Sequence, residues 1–190
     1  MPPRLNLSRL NLPNLISLSR LFLVPVAVGL IIERRYGVAF WVFVTAGLSD
    51  ALDGFVAKRF DCRTRLGALL DPAADKFLLV SLYLTLGYSQ ALPIWLVILV
   101  VFRDAMIVGG FVLVQAIAAP KEFGPLYISK INTLVQTTLI GFVLAQEGLA
   151  VDPGVLTLLL IFGAAATTVA SGLSYLVRWA RILSRSEEAL

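Results

Sequence analysis

Apolar residues in this chain fall into six long runs separated by short polar turns. The runs cover residues 14–32, about 37–57, a third beginning between Leu66 and Pro72 and ending near 90, then 93 to about 118, about 126–145 and about 155–177. A hydrocarbon core about 30 Å thick needs roughly 20 apolar residues per helix. The pattern therefore predicts an all-α, polytopic membrane protein with six transmembrane helices. Residues 1–13 are predicted to form a short interfacial segment, 14–178 the six-helix bundle, and 179–190 a tail, all in one domain. The charged start before the first run looks like a secretory leader, but the run is too long for one and lacks a small-residue cleavage site. It is read as an uncleaved first span. Pro72 leaves two accounts of the third helix: Asp71 is its N-cap, or the helix starts earlier and passes through the proline.

A few polar residues interrupt these runs. Asp50 and Asp53 are spaced i,i+3 near the end of the second run, and Asp71 and Asp75 are spaced i,i+4 in the third. On helices each pair lies on one face. Ionised carboxylates in apolar surroundings are costly unless paired or bound to a cation, and four together repel one another. Their grouping predicts a divalent cation. Asn14 and Ser17 share a face of the first helix, where an N-cap and an interfacial anchor is the plainer reading. Trp41, Trp95, Trp179 and Tyr175 are expected at the membrane interfaces as belt residues.

Composition narrows the chemistry. The chain is 58% hydrophobic and has no histidine, and Cys62 is its single cysteine. Histidine bases, histidine ligands, internal disulfides and multi-cysteine zinc sites are thereby excluded. Acid–base and metal chemistry falls to Asp and Glu, whose oxygens suit hard ions such as Mg²⁺ or Mn²⁺. The net charge is only +4, and basic residues flank apolar runs without forming a soluble basic face, so nucleic acid is not an expected partner. Lys58, Arg59, Arg63 and Arg65 sit between the second and third runs. They share a predicted side with both termini and with residues 119–130, while Arg34 and Arg35 stand opposite. The positive-inside rule places the aspartates near the cytoplasmic face. A bacterial inner membrane is the simplest home and a mitochondrial inner membrane the alternative.

Two such cations a few ångströms apart would clamp an in-line displacement at phosphorus. Gly54 and Gly67 allow close approach of a phosphate, and the intervening basic residues suit a pyrophosphate. An ion-coupled transporter also uses intramembrane carboxylates. The aspartates lie near one face and not at the midplane, and the basic turn between them favours the phosphate chemistry.

The pattern Asp50-x2-Asp53-Gly54-x2-Ala57-Lys58-x8-Gly67-x3-Asp71-x3-Asp75 resembles the motif of the CDP-alcohol phosphatidyltransferases. Lys58 stands where that family usually has Arg; it keeps the charge but loses the bidentate fork. The resemblance implies six transmembrane helices, a homodimer and a site for two Mg²⁺ or Mn²⁺ ions. It implies that Asp50, Asp53, Asp71 and Asp75 bind metal, with Asp75 also the catalytic base. It further implies that Asn14, Ser17, Gly54, Lys58, Thr64 and Gly67 contact CDP-diacylglycerol.

Shorter matches bear on the acceptor. Residues 12–20 are similar to the first-helix entry of both the glycerophosphate-using and the cardiolipin-forming branches of the family, whereas Arg103-Asp104-Ala105-Met106, Ile128 to Thr133, Thr167-Thr168 and Ser174-Tyr175 are closer to the cardiolipin-forming branch. That likeness implies phosphatidylglycerol as acceptor, with glycerol 3-phosphate the alternative. Arg103, Lys130 and Lys121 are candidates to hold the acceptor's phosphate. Their plainer reading is an Arg103–Asp104 pair and two interfacial anchors.

Overall fold

The computed structural model describes the backbone at residues 12–60, 65–118, 126–152 and 154–187, and side chains at 22–49, 76–115, 126–152, 154–182 and 184. Every regular element among them is a helix: α1 (Leu12–Ile32), α2 (Tyr36–Phe60), α3 (Arg65–Tyr88), α4 (Ile94–Ala118), α5 (Tyr127–Leu149) and α6 (Gly154–Glu187).

The order matches the six apolar runs, with three changes at their ends. First, α3 begins at Arg65 and continues through Pro72. Asp71 is therefore a residue within the helix and not its N-cap. Second, α6 runs ten residues past its apolar stretch and takes up most of the predicted tail, because residues 178–187 lack a helix breaker. Third, α1 includes Leu12 and Pro13, assigned above to an interfacial segment whose remainder, 1–11, lies outside the described residues.

By length and apolarity, three helical stretches can cross a membrane: Ile94–Gln115, Tyr127–Leu149 and Gly154–Ile182. The apolar stretches described in the first three helices are shorter, at Phe22–Ile32, Tyr36–Ser49 and Lys76–Tyr88. Large apolar side chains such as Phe22, Trp41, Phe77, Ile98, Phe102, Leu159 and Phe162 are well exposed. A surface so rich in exposed Leu, Ile and Phe is costly in water and suits lipid.

The chain divides into two compact units, one of residues 1–91 with 144–151, the other of 92–143 with 152–190. In the first, α1 packs against both α2 and α3. Val24, Ala27 and Ile31 recur at helical spacing on α1, and Leu78, Leu82, Tyr83 and Leu86 do so on α3; all are buried. Lipid tails are as apolar as leucine, so helices in a membrane cohere through close packing and polar contacts. Gly37 and Gly148 illustrate the first: a Cβ on Gly37 would stand 3.0 Å from the Gly148 carbonyl oxygen, and one on Gly148 would overlap the Gly37 backbone. Only glycine lets the start of α2 and the end of α5 approach so closely.

In the second unit α4 packs against α6. Val114, Tyr175 and Trp179 form a buried cluster, with Met106, Ile107, Leu126 and Ile182 around it. Trp179 lies so close to α4 that a Cβ at Gly110 would fall inside its indole ring. Tyr175 and Trp179 are thus core residues and not belt residues. Their rings meet at a tilt of 47° with centroids 5.8 Å apart, and the extension of α6 carries Trp179 under α4 beside Tyr175. Trp41 and Trp95 are exposed, as a belt position requires.

Candidate functional site

The aspartates stand on two consecutive helices. Asp50 and Asp53 are one turn apart on α2, followed on the same helix by Gly54 and Lys58. Gly67, Asp71 and Asp75 follow at intervals of four residues on α3, a register that keeps the three positions along one face. Asn14 and Ser17 occupy one face of α1, the helix that packs against both others. The motif is therefore carried on α2 and α3, which both pack against α1 in one unit. The side chains of all these residues, and the connection holding Cys62 and Thr64, lie outside the described residues. Lys121 does too.

The second unit holds a buried polar network. Arg103 on α4 is 3% exposed. Its Nη1 donates to Asp104 Oδ1 at 2.7 Å, and its Nη2 donates to Ser129 Oγ of α5 at 2.7 Å and to Ser171 Oγ of α6. The guanidinium also sits 6.0 Å from the centre of the Tyr175 ring, within reach of a cation–π attraction. One side chain thus ties three helices together. Gly172 packs beside it: a Cβ there would touch Arg103 Cγ at an ordinary 3.7 Å and crowd Met106 Cε at 3.3 Å.

One turn further along the seam, Asn132 Oδ1 accepts hydrogen bonds from Thr167 and Thr168, each at 2.9 Å. Gln136 Nε2 donates to Thr168 Oγ1 at 3.2 Å. Ser129, Asn132 and Gln136 recur on α5, and Thr168, Ser171 and Tyr175 on α6, at helical spacing. Two polar stripes face each other inside an apolar bundle. Arg103 Nε and Asn132 Nδ2 are buried and have no hydrogen-bond partner among the described residues.

Of the three cations considered for the acceptor, Lys130 is exposed at the start of α5, immediately after Ser129. Arg103 is buried in its ion pair with Asp104, the plainer of its two readings, and its bond to Ser129 ties it to the turn that carries Lys130. Asn132, Gln136 and Ser171 were not singled out from sequence for this network. The i,i+3,i+7 recurrence of Ser129, Asn132 and Gln136 on α5, and of Thr168, Ser171 and Tyr175 on α6, is the signal that points to them. Among the described residues no group of three acidic or thiol side chains could hold a metal ion.

Comparison with known proteins gives these positions a context. The chain is 37% identical over 180 residues to the human cardiolipin synthase (CMP-forming), covering 86% of this chain and 60% of that protein. The rat protein of the same name is 37% identical over 180 residues, with the same coverage of 86% and 60%. A rice chloroplastic CDP-diacylglycerol–glycerol-3-phosphate 3-phosphatidyltransferase is 35% identical over 196 residues, covering 93% of this chain and 59% of that protein. The chain thus spans about six-tenths of the length of these relatives. Residues 10–171 match the family described as CDP-alcohol phosphatidyltransferase, a range that contains both aspartate pairs and Arg103 with its hydrogen-bond partners Asp104, Ser129 and Ser171. The chain belongs to the CDP-alcohol phosphatidyltransferase family.

Proposed function

We propose that this protein transfers a phosphatidyl group from CDP-diacylglycerol to the hydroxyl of phosphatidylglycerol, giving cardiolipin and releasing CMP. One observation carries the reading: two pairs of aspartates, each one turn apart, stand on consecutive helices of a chain whose family match contains them. The names of the human and rat relatives support phosphatidylglycerol as the acceptor. The rice relative's name supports the second reading, with glycerol 3-phosphate as acceptor.

The donor set fits a hard divalent cation. It offers four carboxylates and no imidazole, in a chain with no histidine at all. Asp50, Asp53, Asp71 and Asp75 would hold two Mg²⁺ or Mn²⁺ ions, which when bound supply charge neutralisation at the pyrophosphate and the departing CMP. Asp75 takes the proton from the acceptor hydroxyl as its oxygen attacks the phosphorus. Asn14, Ser17, Lys58 and Thr64 bind the donor, and Gly54 and Gly67 admit its phosphates close to the helix backbones. Lys130 and Lys121 bind the acceptor's phosphate, and Arg103 holds the turn before Lys130 in place.

The same reading extends to the whole protein. Six spans cross a bacterial inner membrane, the aspartates lie near its cytoplasmic face, and two copies form a homodimer. The competing reading is an ion-coupled transporter.

The test is CMP release by purified protein given CDP-diacylglycerol with phosphatidylglycerol or with glycerol 3-phosphate. Cardiolipin forms with the first acceptor. Asp75→Asn abolishes turnover and largely spares donor binding, and near-wild-type activity in that variant would refute the assignment of the base. A transporter gives no CMP release with any alcohol, and shows substrate-driven ion flux in proteoliposomes.

A further inference from the structure

The helices α1 and α3 end in the same uncommon way. At the end of α1 the Arg35 N–H donates to the Leu30 carbonyl at 2.8 Å and the Arg34 N–H to that of Ile31 at 2.9 Å. At the end of α3 the Ala91 N–H donates to the Leu86 carbonyl at 2.9 Å and the Gln90 N–H to that of Gly87 at 3.1 Å. This paired pattern normally places glycine at the penultimate position, where the backbone turns left-handed. Here the left-handed residues are Arg34, with φ 58°, and Gln90, with φ 63°. A side chain strains the backbone at such a position, and strain of this kind marks a place to look for function. Of the three left-handed non-glycine residues among those described, Arg34 and Gln90 line one cleft, and Ala150, with φ 54° after α5, is not part of its lining.

That cleft has a volume of about 360 Å³ and is completed by Ile32, Tyr88 and Ser89. Its size falls at the lower end of small-molecule sites. The Arg34 guanidinium forms no ion pair or hydrogen bond among the described residues. Neighbouring Glu33 is exposed and forms no ion pair either. The Ser89 hydroxyl donates to the Leu86 carbonyl at 3.1 Å, so it offers the cleft only lone pairs. The donors facing a ligand are therefore the Arg34 guanidinium, the Gln90 amide and the Tyr88 phenol. The cleft lies where the apolar stretches Phe22–Ile32 and Lys76–Tyr88 stop, the depth at which lipid headgroups lie. Along α3 it is roughly 20–25 Å from Asp71 and Asp75, at 1.5 Å per residue. It is not the aspartate site.

We propose that this cleft binds a phosphate-bearing anion, with Arg34 as its charge partner and Gln90 and Tyr88 as supporting donors. A guanidinium pairs well with phosphate oxygens. An anionic phospholipid headgroup and a free phosphate ester share that chemistry.

The test measures retention of phosphatidylglycerol by the full chain in native mass spectrometry, comparing Arg34→Gly, Arg35→Gln and the unaltered protein. Because an acceptor site is proposed elsewhere, the difference between variants is the readout. Arg34→Gly weakens one binding event by about ten-fold, the size of one charge-assisted contact. Arg35→Gln, which removes the same charge from a residue outside the cleft, changes it less than about two-fold. Arg34→Gly unfolds at a temperature no lower than the unaltered protein, since glycine relieves the left-handed strain. Displacement by millimolar glycerol phosphate identifies a soluble ester as ligand, and displacement only by added phosphatidylglycerol vesicles identifies the lipid; either supports the site. Equal binding by Arg34→Gly and the unaltered protein overturns it. So does equal loss in Arg35→Gln, which would mean diffuse surface charge.

Discussion

Replacing Arg103 by Met removes the guanidinium while keeping most of the side chain's length. The variant loses the 2.7 Å ion pair with Asp104, the 2.7 Å bond to Ser129 and the bond to Ser171. Both members of the pair are nearly buried, at 3% and 8% side-chain exposure. Removing one partner of a buried pair costs about 3–5 kcal/mol, because the other charge stays in a poor solvent for it. Hydrogen bonds between membrane helices average only about 0.6 kcal/mol, since the unfolded chain also finds partners there. Most of the loss is therefore electrostatic, and the two kinds of variant separate clearly. At about 2–4 °C per kcal/mol for a chain of this size, Arg103→Met lowers the melting temperature in detergent by roughly 10 °C. Ser171→Ala lowers it by about 2 °C, leaving Ser129 to accept from the same nitrogen. The double variant Arg103→Met with Asp104→Leu regains at least half of the loss, because apolar replacements for a buried pair are close to neutral. The assay is the thermal shift in tryptophan fluorescence. A single Arg103→Met variant within about 2 °C of the unaltered protein would refute the account, as would a double variant no better than the single.

Gly110→Val destabilises by at least about 3 kcal/mol, since its side chain would have to displace the buried Trp179 ring; the same melt measures it, and the pair Gly110→Val with Trp179→Ala recovers part of the loss. Gly148→Val separates the end of α5 from the start of α2, again costing about 1–3 kcal/mol, whereas valine at Gly109, which has open space around it, is tolerated. Chelation by EDTA abolishes CMP release, and Mg²⁺ or Mn²⁺ restores it, since four carboxylates with no other ligand type depend on a hard cation; activity that survives chelation refutes the metal assignment.

Much of this was legible in the residues. Six apolar runs became six helices because a continuous apolar stretch of this length has little alternative to a helix. Their ends were less legible. Pro72 left two helix starts open, and α3 takes the earlier one, running through the proline from Arg65. Trp179 and Tyr175 looked like interfacial aromatics because apolarity alone ends the last run near Val177. The helix does not stop there: the added turns carry Trp179 in beside Tyr175, and both rings are buried against α4. The aspartate motif was readable because its spacing is local to two helices. The Arg103 network was not, because its members come from three helices separated in sequence by up to 68 residues.

That contrast bears on where acceptor choice is encoded. The donor side of the motif depends on residues one turn apart, a relation sequence spacing records directly. The seam of the second unit depends on which faces of α4, α5 and α6 meet, and each of its residues also has a plain structural use. Arg103 shows how the two uses combine. Its charge is neutralised by Asp104 and its position fixed by Ser129 and Ser171, so it cannot readily turn toward a ligand without giving up those bonds. Lys130, one residue beyond Ser129 and exposed, carries no such commitment. A change of acceptor within this family would therefore be sought first at Lys130 and its neighbours on the exposed turn, with Arg103 held constant as the residue that keeps the turn in register. Swapping Lys130 to Gln should then raise KM for the acceptor and leave donor binding unchanged, while Ser129→Ala, which loosens the turn without removing a cation, should produce a smaller shift in the same direction. Equal donor and acceptor losses in Lys130→Gln would remove it from the acceptor site.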